Sequence, residues 1–178
     1  MSKKVLILSS SPRKRCNSNA LCDRFMEGAV EAGHQVEKVV LAEKKINYCM
    51  GCYACSKNGR CAQKDDMASI LDGMVASDVI VMATPVYFYT MCAQMKTLID
   101  STVARYTKIT NKEFYFIVTA ADGNSAALEP TIEGFRAFIS CLTRAKEKGV
   151  IYGAGAFEAG EILASRAMKQ AYEMGKAL

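Results

Sequence analysis

This chain has one histidine, three prolines and no apolar run approaching the length of a membrane span. The single imidazole, His34 in EAGHQVE, falls between an expected helix and an expected strand. Histidine-based catalysis and histidine-ligated zinc therefore have almost no material. Crossing a bilayer needs ~20 mostly apolar residues, so no membrane partner is expected. The opening MSKKVLILSSSPR holds an apolar stretch of only four residues and no small-residue cleavage site, unlike a secretory leader. Neither GxxxxGK[ST] nor GxGxxG occurs, which excludes the Walker and Rossmann nucleotide loops. Basic residues interleaved with aromatics along a helix are missing too, so no nucleic-acid partner is expected.

What is present describes an ordinary α/β protein with an unusual loop. The 178 residues are 51% hydrophobic and 23% charged, which predicts one domain over 1–178 with a real core. Eight cysteines without a leader predict reduced thiols in the cytoplasm, available to a metal. Net charge is +5, with an evident cluster at Arg13-Lys14-Arg15 and a pair at Lys44-Lys45.

Apolar runs alternate with helix-like segments, the signature of a parallel sheet covered on both faces. Strands are expected over 4–8, 35–41, 78–83, 114–119 and 149–152, with helices over 18–32, 66–76, 93–104, 129–147 and 160–177. Leu21, Phe25, Gly28 and Ala32 recur at helical spacing in the first helix, and Asp65-Asp66 mark the start of the second. Five strands and five helices match a flavodoxin-like three-layer sandwich with a five-stranded parallel sheet of order 2-1-3-4-5. Such a sheet binds its ligand at the carboxyl ends of its first and third strands.

Three segments carry chemistry. LSSSPRKRCNSNA runs from the first strand into the first helix, where unsatisfied amides and the helix dipole suit a phosphate. Ser9, Ser11, Asn17 and Ser18 can add side-chain hydrogen bonds, and Arg13 projects beside Pro12; the plainer reading is that Ser18 caps the helix. TPVYFYTMCAQ follows the third strand, where Pro85 is expected to end the strand. Val86, Tyr87, Phe88 and Tyr89 then form walls suited to a flat aromatic ligand, or else serve as core or dimer contacts. Ala120 and Ala121 leave room on the facing loop. The third segment is a loop at about 44–64 with Cys49, Cys52, Cys55 and Cys61 spaced C-x2-C-x2-C-x5-C. Soft thiolates this close together point to a metal, a cluster or a redox pair. Three contents stay open: a 4Fe-4S cluster, tetrahedral zinc, or no metal. Cys16, Cys22, Cys92 and Cys141 lie outside the run and are read as small buried hydrophobes.

SPRKRCNS at 11–18, CMGCYACSKNGRCAQKDDM at 49–67 and TPVYFYTMCAQMKTLIDS at 84–101 together resemble the NADPH-dependent FMN reductase group, in particular its iron–sulfur flavoprotein branch. The tail GVIYGAGAFEAGEI at 149–162 is similar to that group as well. The resemblance implies that Ser11, Arg13, Asn17 and Ser18 hold an FMN phosphate. It also implies that Pro85, Val86, Tyr87, Phe88, Ala120 and Ala121 line the isoalloxazine, and that the cysteine loop approaches the flavin. Cys16 stands where the group has a glycine, which leaves the turn geometry open.

The expected function is an FMN-dependent oxidoreductase passing electrons between a donor such as NAD(P)H or ferredoxin and an unidentified acceptor. No side chain is needed as acid, base or nucleophile, because the flavin carries the chemistry. A non-catalytic flavin electron carrier and a cysteine-loop metal or redox-sensing protein are the rival readings. The expected assembly is a homodimer or higher homo-oligomer.

Overall fold

A computed structural model describes all 178 residues. In chain order the elements are β1 (Lys4–Ser9), α1 (Asn17–Glu31), β2 (Gln35–Val40), α2 (Met67–Ala76), β3 (Val79–Tyr87), β4 (Thr90–Met91), α3 (Ala93–Ser101), β5 (Glu113–Thr119), α4 (Glu129–Ser140), β6 (Lys146–Gly153) and α5 (Arg166–Lys176). Five parallel strands run in the order β2-β1-β3-β5-β6, and β4 pairs antiparallel with the tip of β3. With that short hairpin strand set aside, this is the expected 2-1-3-4-5 order, and its reversal lies between β1 and β3.

Alternation along the strands builds the two outer layers. Val5 and Ile7 of β1 pack with Leu21, Phe25 and Ala171 of α1 and α5. Leu6 and Leu8 pack with Ile70, Met74, Met95 and Phe135 of α2, α3 and α4. Both faces are therefore apolar, which is why VLIL and VIVMA read as continuous runs. Helices α1 and α5 approach backbone to backbone. A Cβ on Gly28 would lie 2.2 Å from the Tyr172 carbonyl oxygen, and one on Gly175 would lie 2.0 Å from that of Phe25. Only glycine fits at either position.

Several boundaries differ from the sequence expectation, each for a local reason. Pro85 does not end β3, which continues through Tyr87 and pairs Pro85 with Thr119 of β5. Since β1 ends at Ser9 opposite Ala83, the far side of β3 is an edge beyond that point, where a missing N–H is tolerated. Helix α4 stops at Ser140 rather than near 147, because Arg144 takes a left-handed φ of +57° and Lys146 already pairs with Glu113. The last helix begins at Arg166, with a single 3-10 turn over Glu161–Ala164 in place of its expected first turns. No helix is long and apolar enough to cross a membrane.

Candidate functional site: a cleft at the strand ends and a thiol cavity

At the carboxyl ends of β1, β3 and β5 the chain forms a cleft of about 140 Å³. One end is made by the loop after β1. The backbone N–H groups of Lys14, Arg15 and Cys16 have no acceptor within the chain, and α1 begins immediately after them. This gives unsatisfied donors, a helix N-terminus and the guanidiniums of Arg13 and Arg15 around one space. Such a set fits a phosphate. Cys16 resolves the missing glycine: its φ is −143°, extended backbone open to any residue, and its Sγ caps α1 by accepting from the Asn19 N–H at 3.4 Å. It was read as a buried hydrophobe, yet it is half-buried and lines the cleft.

The other end is flat and apolar. Pro85, Val86 and Tyr87 stand on the β3 extension, facing Thr119, Ala120 and Ala121 at the end of β5. The N–H groups of Ala121 and Asp122 are likewise without an acceptor in the chain, as a loop that reads a ligand's polar edge requires. The cleft is lined by no histidine, aspartate or glutamate.

Asn17 lines the cleft, but its side chain is occupied elsewhere. Its Nδ2 donates to the carbonyls of Ala156 at 3.1 Å and Glu158 at 2.9 Å, while its Oδ1 accepts from the Gly160 N–H at 3.1 Å. Both amide donors and the acceptor are spent on the tail loop, so Asn17 fastens that loop rather than offering a ligand hydrogen bonds. Glu161 holds the same loop through the N–H groups of Phe157 and Glu158 at 2.7 and 2.9 Å. The loop thereby brings Ala156, Phe157 and Ala159 into the cleft, and Arg13 donates to the Phe157 carbonyl at 3.0 Å beside its ring. Sequence reasoning missed these three residues. Their only signal was the glycine-spaced tail, and contact with α1 spans some 140 positions.

Two expected residues stand outside. Ser9 is fully buried and donates to Asn19 Oδ1, so it ties β1 to α1 away from the cleft. Phe88 is 99% exposed and does not line the cleft. Phe88 and Tyr89 are the central pair of the β3–β4 hairpin, with φ of +49° and +65°. A two-residue turn of that kind favours asparagine and glycine, and here it carries two exposed aromatics instead.

The cysteine loop forms a separate place. Its neck is closed where Asp66 and Asp65 accept from the Lys45 and Asn47 N–H groups at 2.7 and 2.9 Å. Asp65 also accepts from the Met67 N–H at 3.1 Å, capping α2. Cys49, Cys52, Cys55 and Cys61 line one cavity of about 150 Å³ with Met67 and the end of α3. No three of them converge on a point that would hold a metal ion. All four are free thiols, three exposed and Cys55 half-buried. The Gly51 and Gln63 N–H groups donate to the sulfurs of Cys49 and Cys61 at 3.5 and 3.4 Å. This cavity and the cleft share no lining residue, so within one chain the loop does not join the cleft. Of the remaining cysteines, burial pushes the Cys22 thiol up to about 12, an inert group, and Cys92 bonds to Ser10 and Thr84 where β1, β3 and α3 meet. Cys141 is exposed, contrary to expectation.

A family model described as NADPH-dependent FMN reductase matches residues 3–146. Among curated proteins, an iron–sulfur flavoprotein of Archaeoglobus fulgidus is 41% identical over 97 residues, 54% of this chain and 44% of that protein. A second from the same organism is 38% identical over 127 residues, 70% of this chain and 62% of that protein. The chain spans about half the length of the curated relatives it matches. Among solved structures, an azoreductase from Bacillus anthracis superposes over the whole of both chains with a TM-score of 0.76 at 17% identity. At that identity the likeness speaks to the fold.

Proposed function

We infer the chemistry of this chain from its kinship: it belongs to the NADPH-dependent FMN reductase family, and its function is that of an FMN-dependent oxidoreductase. The single observation that carries this reading is the composition of the cleft. Free amides and two guanidiniums stand at one end, mostly apolar walls at the other, and no histidine or carboxylate lies between. When bound there, FMN supplies the capacity to take and release electrons or hydride, and the protein contributes binding and orientation.

Each part of the cleft has a task in this reading. The N–H groups of Lys14, Arg15 and Cys16, with Ser11, Ser18 and Arg13, hold the phosphate. Pro85, Val86 and Tyr87 cover one side of the ring, while Ala120 and Ala121 admit it closely on the other. Asn17 and Glu161 keep the tail loop against the site. The donor is a reduced nicotinamide or a reduced protein carrier, and the protein works without a general base of its own.

The cysteine loop fits an iron–sulfur cluster in its donor set: four thiols around one cavity, two already receiving backbone N–H···S bonds. Curated relatives are iron–sulfur flavoproteins, which supports the same reading. Cys49, Cys52, Cys55 and Cys61 would hold the cluster, and it would supply one-electron storage there.

Titration of FMN into flavin-free protein tests the reading, with Arg13→Ala as the variant. The expected result is one FMN per chain and a Kd raised about tenfold in R13A, the loss of a charge-assisted hydrogen bond. A chain that refuses FMN, or an R13A variant that binds it unchanged, contradicts the phosphate assignment.

A further inference from the structure

We propose that Cys16 is a modification site: its thiol takes up an anionic, low-molecular-weight disulfide drawn into the phosphate end of the cleft, and the mixed disulfide and FMN exclude one another. The proposal rests on the reading of that end as the phosphate site and adds to it a control by thiol chemistry. Among the eight cysteines, Cys16 alone lines the cleft. Cys22 and Cys92 are buried, Cys141 follows α4, and the four thiols of the cysteine loop line the other cavity.

The space beside this thiol is built for an anion. Ser11 and Ser18 line it and are each 1% exposed. Ser11 Oγ accepts from the Arg13 N–H at 3.3 Å, but its own O–H has no acceptor in the chain. Ser18 Oγ has no partner except the Cys16 sulfur at 3.5 Å. Together with the free N–H groups of Lys14, Arg15 and Cys16, these are donors that an anion would satisfy. Arg13 and Arg15 line the same space and add positive charge. The surrounding carboxylates do not oppose them. Glu161 accepts from the Phe157 and Glu158 N–H groups, Asp122 accepts from that of Asn124, Glu158 is exposed, and none of the three lines the cleft. Such a field draws in negatively charged reagents.

Capping alone does not account for sulfur at this position. An N-cap is served best by the side-chain oxygen of serine, threonine, aspartate or asparagine, and the Cys16 backbone, with φ −143° and ψ 155°, suits any of them. Sulfur is the weaker acceptor, and what it adds is nucleophilic reach into the cleft. The Cys16 sulfur attacks one sulfur of the disulfide, and a new S–S bond forms as the old one breaks. The other half leaves as a free thiol carrying the Cys16 proton, so Cys16 is oxidised and that half is reduced. The half left on Cys16 then holds its carboxylates against the amides and guanidiniums that bind the phosphate. A bound phosphate in turn covers the sulfur, and an added thiol reverses the exchange.

The test follows one peptide. Trypsin releases residues 16–24, CNSNALCDR, which carries Cys16 beside the fully buried Cys22 as an internal blank. Full-length protein, flavin-free or FMN-loaded, is treated with glutathione disulfide, which is anionic, or cystamine, which is cationic. Remaining thiols are blocked with N-ethylmaleimide, and the mixed disulfide on Cys16 is read by mass against that on the exposed Cys141. The glutathione-to-cystamine rate ratio should be about tenfold or more higher at Cys16 than at Cys141. Saturating FMN or inorganic phosphate should slow the Cys16 reaction by about tenfold or more, and riboflavin, which lacks the phosphate, should not. Glutathione disulfide should raise the FMN Kd of the flavin-free protein about tenfold or more, and dithiothreitol should restore it. In Cys16→Ser, which places a preferred cap at the helix start, treated and untreated protein should share one Kd although the other thiols still react. Absence of a charge preference at Cys16, or a modified chain that binds FMN with the Kd of the unmodified one, overturns the proposal. A chain that refuses FMN before any treatment sinks the FMN reading instead, and the charge preference and protection by inorganic phosphate then decide the Cys16 site by themselves.

Discussion

The cleft at the strand ends and the cavity under the cysteine loop enclose about 140 and 150 Å³, but they are held in different ways. The cleft is fixed from outside its ligand. Strand ends set its floor, Ser10, Thr84 and Cys92 lock β1 to β3 and α3, and Asn17 with Glu161 fastens the tail loop over it. The thiol cavity is closed only at its neck, its sulfurs are mostly exposed, and they do not converge. One site is organised by the fold, and the other is held only at its neck. Organisation in advance suits a cofactor held for positioning, since ordering is then not charged against binding. A loop arranged by its own ligand is the usual behaviour of a thiolate centre, where metal binding and local folding are one event.

That contrast can be broken most sharply at the cysteines. Replacing Cys49, Cys52, Cys55 and Cys61 together with serine should reduce iron and sulfide from about four per chain to none, while FMN content stays at one. Chemical analysis beside the visible spectrum reads both, and loss of FMN in the same variant would show the two regions to be one site. A smaller effect is expected on the cleft side. Asn17→Ala leaves two carbonyls and an N–H of the tail loop without partners, which should cost about 2–3 kcal/mol in urea unfolding and weaken FMN binding. Iron content should not move. Retention of full stability in N17A would mean that the loop is not fastened there.

The hairpin at the cleft's rim should respond with the opposite sign. Replacing Phe88-Tyr89 by Asn-Gly relieves two left-handed bulky residues and removes exposed aromatic surface, for a gain of about 1–2 kcal/mol. A fall in melting temperature would show that these aromatics are packed against something in solution. The smallest change lies outside both regions. Arg136 donates to Glu147 from Nε at 2.7 Å and Nη2 at 2.9 Å, which holds the Glu147 carboxyl below its ordinary value. A depressed carboxylate adds stability above its unfolded pKa and loses it as the pH falls through the folded one. Stability should therefore decline on acidification below the ordinary carboxylate range. Glu147→Gln should make that decline shallower by less than ~1 kcal/mol, since the pair is partly solvated. An acid limb unchanged in E147Q would remove Glu147 from the account.

The fold was legible because its signals are local and repeated. VLIL, VIVMA and FYFIVT announce strands covered on both faces, and the segments between them have helical spacing. Pro85 misled because a proline reads as a stop unless the neighbouring strand is known to have ended, and β1 ends two positions earlier. The first half of the site was legible for the same reason: the hydroxyl-rich loop after β1 and the Pro85–Tyr87 segment are contiguous stretches at the switch point. Ser9 and Phe88 were misplaced because neighbours along a chain turn to different surroundings, one inward toward Asn19 and one outward to solvent. Asn17 was assigned to a ligand because its true partners lie in the tail, beyond any local pattern.

The most direct measurement is an FMN titration, by fluorescence quenching, of flavin-free protein in which Cys49, Cys52, Cys55 and Cys61 are all serine. If the cleft is built by the strand ends and the tail loop alone, one FMN per chain should bind with the wild-type Kd. Binding that disappears, or that returns only with an intact iron-loaded loop, would contradict the account.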